Sequence, residues 1–355
     1  MSTATAEATG RPAASPPESA ARRRTTSVRA LGLLVAVAVL LAALIASVAV
    51  GARTIPPHEV WDALWHDATT PTEKIVRELR VPRTFLGLLV GAALGVAGAL
   101  MQALTRNPLA DPGLLGVNAG AAAAVVIAMA TLGVTAPSGY VWFAFLGAAV
   151  VSLVVYALGA GGGSGASPVR LALAGVAVTA ALTAFISAMV LLKPQVFEQF
   201  RYWEVGSLSG RDASLVRQMA LFIVPGLVLA LLLTRSLNVL ALGDDTGRAL
   251  GAKPGRIRAL SLLAITALSG AATAAAGPIA FVGLTVPHIA RAITGPDQRW
   301  IVPYSAVLGA ALLLVADVIG RLIDPPAEVQ VAVVTAFIGA PFFIALVSRR
   351  RIAQL

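Results

Sequence analysis

Three arginines and one aspartate carry the most specific chemistry in the chain. Arg80 and Arg83 stand in LRVPRTFLGLLVGAALGVAGALMQ, residues 79–102, just ahead of a long run that contains no charge. Arg321 closes a later apolar run, four residues after Asp317, the one acid within it. A guanidinium offers a planar fork of donors that matches a carboxylate. Two uses are open. The arginines can form a cationic patch that receives carboxylates of a soluble partner. Alternatively they are neutralised locally, Asp317 pairing with Arg321 at i and i+4 while the others snorkel to the membrane interface. An acid inside a span is also a candidate proton relay.

Other chemistries have less support. His58, His66 and His288 are far apart and the chain has no cysteine, so disulfides and thiolate sites are excluded and no metal site is expected. The nucleotide motif GxxxxGK[ST] does not occur, and GGGSGAS at 161–167 lacks the lysine that reaches phosphate, so it reads as a flexible connector. Nothing resembles an acid–base or nucleophile cluster, so neither a catalytic residue nor a cofactor bound by this chain is expected. Polar surface between the apolar runs is where a partner can bind. The longest internal one is SLNVLALGDDTGRALGAKPGRIR, residues 236–258. Asp244 and Asp245 can cap a short helix that passes through Arg248 and Leu250 to Gly251, where glycine permits a terminating turn. Such a stub can lodge in a partner's groove or serve as an ordinary interfacial connector. Gly247 loosens it, since glycine costs about 1 kcal/mol against alanine.

Membrane helices have to position these groups. Of 355 residues 57% are hydrophobic and 12% charged, where a soluble domain carries roughly a quarter. Apolar runs near 28–50, 84–104, 114–134, 141–160, 171–192, 215–235, 259–293, 300–322 and 329–347 mostly match the about 20 residues of a helical crossing, so an all-α polytopic membrane protein is expected rather than a barrel. The run 259–293 is too long for one crossing and is broken by Gly277, Pro278, Gly283 and Pro287. Two spans with a tight connection are expected there, with one span plus a re-entrant segment as the rival. Ten spans with both termini cytoplasmic place most Lys and Arg inside, Arg349, Arg350 and Arg351 included. Residues 1–27, rich in Ala, Ser, Thr and Pro, read as a disordered cytoplasmic tail and 28–350 as the transmembrane domain. The net charge of +10 is scattered over the ends of apolar runs, which argues against nucleic acid and for membrane lipid as surroundings.

Two small-residue patterns remain. Gly87, Gly91 and Gly95 recur every four residues, with Gly98 close to the same face, which lets helix backbones approach closely. Gly175, Thr179, Thr183 and Ser187 repeat in the same way and give one weakly polar stripe on an apolar helix, either bonded back to its own backbone or facing another helix.

The stretch LRVPRTFLGLLVGAALGVAGALMQALTRNPLADPGLLGVNAGA closely resembles the signature region of FecCD-type permeases, the membrane subunits of ATP-driven importers for ferric siderophores, haem and cobalamin. AAGPIAFVGLTVPHIARAITGPDQRWIVPYSAVLGAALLLVADVIGRL and VVTAFIGAPFFIALV are similar to later blocks of the same family, so the resemblance covers about residues 28–350. It implies the type II ABC importer permease fold of ten transmembrane helices in the bacterial cytoplasmic membrane. It implies a dimer with an identical or related permease, two cytoplasmic ATPase subunits that use ATP and Mg2+, and an extracytoplasmic substrate-binding protein. On this resemblance Arg80, Arg83 and Arg321 accept acidic side chains of that binding protein. Residues 236–258 become the ATPase coupling loop, in which relatives more often carry Ala at position 247. The span with Gly175, Thr179, Thr183 and Ser187 then flanks the translocation path. Ferric siderophore is the cargo implied first, cobalamin and haem the alternatives. An ion-coupled secondary transporter is the alternative of a different class.

Overall fold

The computed structural model describes residues 18–51, 55–65, 70–160 and 168–348. The first 17 residues, His66, the connector 161–167 and Arg349 to Arg351 lie outside them. Every described element is helical: in hydrocarbon a backbone must satisfy its own hydrogen bonds, and helices do so segment by segment.

The chain opens with α1 (Glu18–Ala49), so residues 18–27, expected in the tail, extend the first span as helix instead. After α2 (Pro57–Trp65), an amphipathic piece with Trp61 and Trp65 exposed, comes a second departure. Thr70 and Glu73 form a reciprocal capping box that starts α3 (Pro71–Lys74). A π-helical turn, Ile75–Arg80, then joins it to α4 (Val81–Thr105), and the whole runs as one helix from Pro71 to Thr105. Arg80 and Arg83 therefore lie within a helix and not at its mouth. A 3-10 turn, Pro112–Leu115, leads into α5 (Val117–Leu132), followed by α6 (Pro137–Ala160), α7 (Pro168–Leu192), α8 (Pro194–Glu204) and α9 (Ala213–Ala241). Next come α10 (Asp244–Ala249), α11 (Pro254–Ala276), α12 (Val282–Thr294), α13 (Gln298–Ile323) and α14 (Val331–Ser348). Proline opens α6, α7, α8 and α11, where its missing N–H costs no helical bond.

The long run 259–293 breaks at Gly277, whose φ of 79° is left-handed, and becomes helix again only after Phe281. With 13 residues α12 spans only about 20 Å. The non-helical stretch before it is tolerated because protein surrounds it: the Ser207 N–H donates to Ala276 O at 2.7 Å. Among the described residues seven helices are long and apolar enough to cross a membrane, while α5 and α14 are shorter apolar helices.

α4, α11 and α13 form the centre, with α4 and α13 in the most extensive contact. Glycines decide how closely they meet. A Cβ added at Gly91 would lie 2.5 Å from Gly309 O, one at Gly95 would meet Ser305 O, and one at Gly98 would overlap Gly283 O. Gly87 faces Leu314, so three of these glycines serve α13 and the fourth serves α12. α1, α6, α7 and α9 turn leucines and valines outward, as expected of lipid-facing or subunit-facing helices. Overpacking of this kind costs typically 1–3 kcal/mol. Gly98→Ala should therefore lower the thermal unfolding midpoint of the purified protein by several degrees, and Gly255→Ala, with nothing within 4 Å, should leave it unchanged.

Candidate functional site

α1 ends beside the start of α4 and the end of α13, and there the three arginines meet. Arg80 donates to Val48 O at 2.8 Å and Ala49 O at 2.7 Å. Arg321 donates to Ser47 O at 2.8 Å and Val50 O at 2.9 Å, and through its other Nη to Ser47 Oγ at 3.0 Å. Both thus cap the last carbonyls of α1, which has no basic residue of its own in its last turn. Arg83 grips Asp317 with Nε and Nη2 at 2.8–3.1 Å and reaches Glu328 at 2.7 Å. Asp317 also accepts from Arg321 at 2.7 Å, so the i, i+4 pair forms, but as part of a four-residue network with Arg83 and Glu328. Arg80 is 7% exposed, and Arg321 and Asp317 2% each. All three arginines expected to form a patch are thus occupied within the chain, where they satisfy carbonyls and acids that burial would otherwise leave short of partners, and all three still line a cavity.

A cavity of about 390 Å³ opens over this network, lined by Arg80, Arg83, Arg321, Glu328 and one residue the sequence reading missed, Arg211. A second cavity of about 570 Å³ shares Ser209, Gly210, Arg211 and Glu328 with the first. Arg211 donates to Tyr140 Oη at 2.8 Å, while its buried Nε has no partner among the described residues. Its sequence signal was a cation in a Gly/Ser turn, GSLSGRD, next to the N-cap Asp212.

At the opposite end, α10 begins after Gly243, which forms the N-cap without any side-chain bond. Asp244 and Asp245, expected as caps, are instead in the first turn and bind cations. Asp244 bridges Arg106 at 2.9 Å and Arg258 at 2.7 Å, and Asp245 pairs with Arg248 at 2.6 Å on the surface. Burial works to raise the Asp244 carboxyl, but Arg258 and Arg106 outweigh it and hold it below its ordinary range. Arg106 also donates to Leu240 O at 2.6 Å, which completes the end of α9. Leu250 and Gly251, the latter at φ 80°, form the terminating turn. Nearby, Asp297 binds Arg299 and Asn238, which lower its carboxyl to about 2 against the effect of burial.

The sequence profile of the FecCD transport family matches residues 39–349. The chain belongs to the FecCD transport family. It is 48% identical over 332 residues to the ferric enterobactin transport system permease protein of Escherichia coli, covering 94% of this chain and 98% of the relative. With the Fe(3+)-citrate import system permease protein of Bacillus subtilis the identity is 42%, over 93% and 98% of the two chains. With the hemin transport system permease protein of Yersinia pestis it is 37%, over 90% and 96%. In fold, the chain matches a solved structure presented as an inward-facing conformation of a metal-chelate type ABC transporter, with a TM-score of 0.79 at 24% identity, covering 89% of this chain and 98% of that one. This FecCD permease is a membrane transport subunit and not itself catalytic.

The remaining expected positions separate. Gly175 packs against Leu114 O, and Thr179 lies near Gly116, so this half of the stripe holds α7 to the turn before α5. Thr183 and Ser187 are exposed on the open side of α7. Among the described residues no group of three potential ligands could hold a metal ion, and His288 stacks edge-on against Phe342. A polar interior that hydropathy had hidden lies between α4 and α12. Gln102 Nε2 donates to Leu284 O at 3.2 Å and its Oε1 accepts from Arg291 at 3.2 Å.

Removing one partner of a buried pair costs about 3–5 kcal/mol. Asp317→Asn should therefore lower the unfolding midpoint of this permease strongly, and more than Asp245→Asn, whose pair is exposed. The depressed carboxyls of Asp244 and Asp297 contribute stability that is complete above about pH 4 and is lost as pH falls through their folded values. Acid should thus destabilise the protein over that interval, and Asp297→Asn should reduce the dependence.

Proposed function

We propose that this permease forms, with a second identical or related permease, the path of an importer that takes ferric siderophores from a substrate-binding protein and is driven by two ATPase subunits using ATP and Mg2+. The observation that carries the reading is the contrast between the two ends of the bundle. One holds a cavity walled by Arg80, Arg83, Arg211 and Arg321; the other presents a short helix with Asp245 and Arg248 exposed. Ten crossings, the seven long helices with α5, α12 and α14, bring both termini and the cations of α10 and early α11 to the cytoplasm.

In this arrangement the arginine end faces outward. Acidic side chains of the binding protein enter the cavity, compete with Glu328 for Arg83 and meet Arg211, while Arg80 and Arg321 keep the wall in place. The exposed residues Asp245, Arg248 and Leu250, with the turn at Gly251, lodge in an ATPase, and Asp244 anchors them to α4 and α11 through Arg106 and Arg258. Thr183 and Ser187 line the path once a second subunit packs beside α7. The close approaches of Gly87, Gly91, Gly95 and Gly98 hold the scaffold against which α7 works. A proton-coupled carrier is disfavoured because Asp317 is held by two arginines. The cargo follows from relatives named for ferric enterobactin and ferric citrate; the haemin relative and cobalamin supply the alternatives.

The natural absence of cysteine permits single-cysteine crosslinking without background. Ser209→Cys and Glu328→Cys should crosslink to the binding protein, and Asp245→Cys and Arg248→Cys to the ATPase. Exchange of the two patterns would reverse the orientation. Uptake of labelled ferric enterobactin, with haemin and cobalamin in parallel, reads the cargo: accumulation of haemin or cobalamin alone would refute the siderophore assignment.

A further inference from the structure

Beside α10, the last turns of α9 and the first turns of α11 leave a groove of about 620 Å³ between them. Its wall is graded. Leu232 and Leu233 of α9 and Leu260 of α11 line the part nearer the middle of the bundle; Arg235, Lys253 and Arg256 line the part nearer the end, where Val239 and the turn at Leu250 and Gly251 form the rim, and no acid lines any of it. Leu232 is 72% exposed, so the apolar part is open. The neighbouring cations Arg106, Arg248 and Arg258 are each bound to Asp244 or Asp245. The side chains of Arg235, Lys253 and Arg256, by contrast, form neither ion pair nor hydrogen bond among the described residues.

An open apolar slot within two spans, ending in bare cations at the depth of the headgroups, matches a molecule with a hydrocarbon chain and an anionic head. An extended peptide would have to bring an unbonded backbone down to the leucines, which an acyl chain does not. We infer that this groove holds an anionic phospholipid of the phosphatidylglycerol class, one acyl chain along Leu232, Leu233 and Leu260 and the phosphate among Arg235, Lys253 and Arg256. The lipid bridges α9 and α11, the two helices that flank α10, and so braces the segment that Asp244 ties to Arg258. Only the choice of leaflet rests on the orientation proposed above.

The test uses the permease with its ATPase in phosphatidylcholine vesicles that contain a trace of phosphatidylglycerol with a photoactivatable acyl chain. After irradiation and proteolysis, adducts should concentrate on peptides from residues 229–260. They should fall several-fold in the triple variant Arg235→Gln, Lys253→Gln, Arg256→Gln and persist in Arg217→Gln, a change at the other end of α9. Millimolar inorganic phosphate should leave them unchanged, whereas its displacement of the probe would show that a free anion suffices and overturn the lipid. Equal labelling by a photoactivatable phosphatidylcholine would do the same, and this comparison needs no variant, so it decides the matter even if the triple variant fails to assemble. Labelling that appears only after the ATPase is stripped away would assign the groove to that protein.

Discussion

Four consecutive carbonyls at the end of α1, those of Ser47, Val48, Ala49 and Val50, set the terms for one end of this bundle. A helix leaves its last carbonyls without partners, and where little water reaches them each carries a desolvation cost. Arg80 and Arg321 answer all four from two other helices. The buried Arg321 guanidinium in turn requires an acid. Asp317 supplies it and is shared with Arg83, which draws the start of α4 onto the end of α13. The register so fixed is the one in which Gly91 meets Gly309 and Gly95 meets Ser305, so charge at one end and close backbone contact along the length specify the same alignment.

The two ends are built differently, and the difference suits a protein that must pass motion between partners. At the arginine end the pairs of Asp317 with Arg83 and Arg321 are buried and, with the arginine hydrogen bonds to the carbonyls of α1, tie α1, α4 and α13 into one block. At the α10 end Asp244 is a single clamp between α4 and α11, partly open to solvent, and Asp245 forms only a surface pair. α10 is therefore tied through Arg106 and Arg258 to two central helices at once. Between the ends, the broken stretch before α12 and the short α12 itself pack on Gly98, the closest backbone contact in the centre.

Around this centre the outer helices are held less tightly. α7 packs on α6 and α5, with Gly175 in close approach to the turn before α5, and leaves Thr183 and Ser187 uncovered. The groove between α9 and α11 is uncovered in the same sense, but it is lined by three cations, where the outward faces of α1 and α6 are leucine and valine.

The order and approximate bounds of the helices, the break at Gly277, the glycine face of α4 and the family were legible in the sequence, because hydropathy, helix periodicity and proline or glycine stops act over a few residues. The sequence also pointed to Arg80, Arg83, Asp317 and Arg321 at one end and to Asp244, Asp245 and Arg248 at the other, but not to Arg211, Glu328, Arg106 or Arg258. It could not say what those charges do. Arg83 and Asp317 are separated by 234 positions, and only the packing of α4 on α13 brings them together. The same packing occupies Arg80 and Arg321 with α1, brings Arg211 to the cavity, and turns Asp244 from a presumed cap into a clamp. Local forces decide where a helix begins and ends, and the tertiary structure decides which charge each arginine meets, since that depends on the register between helices remote in sequence.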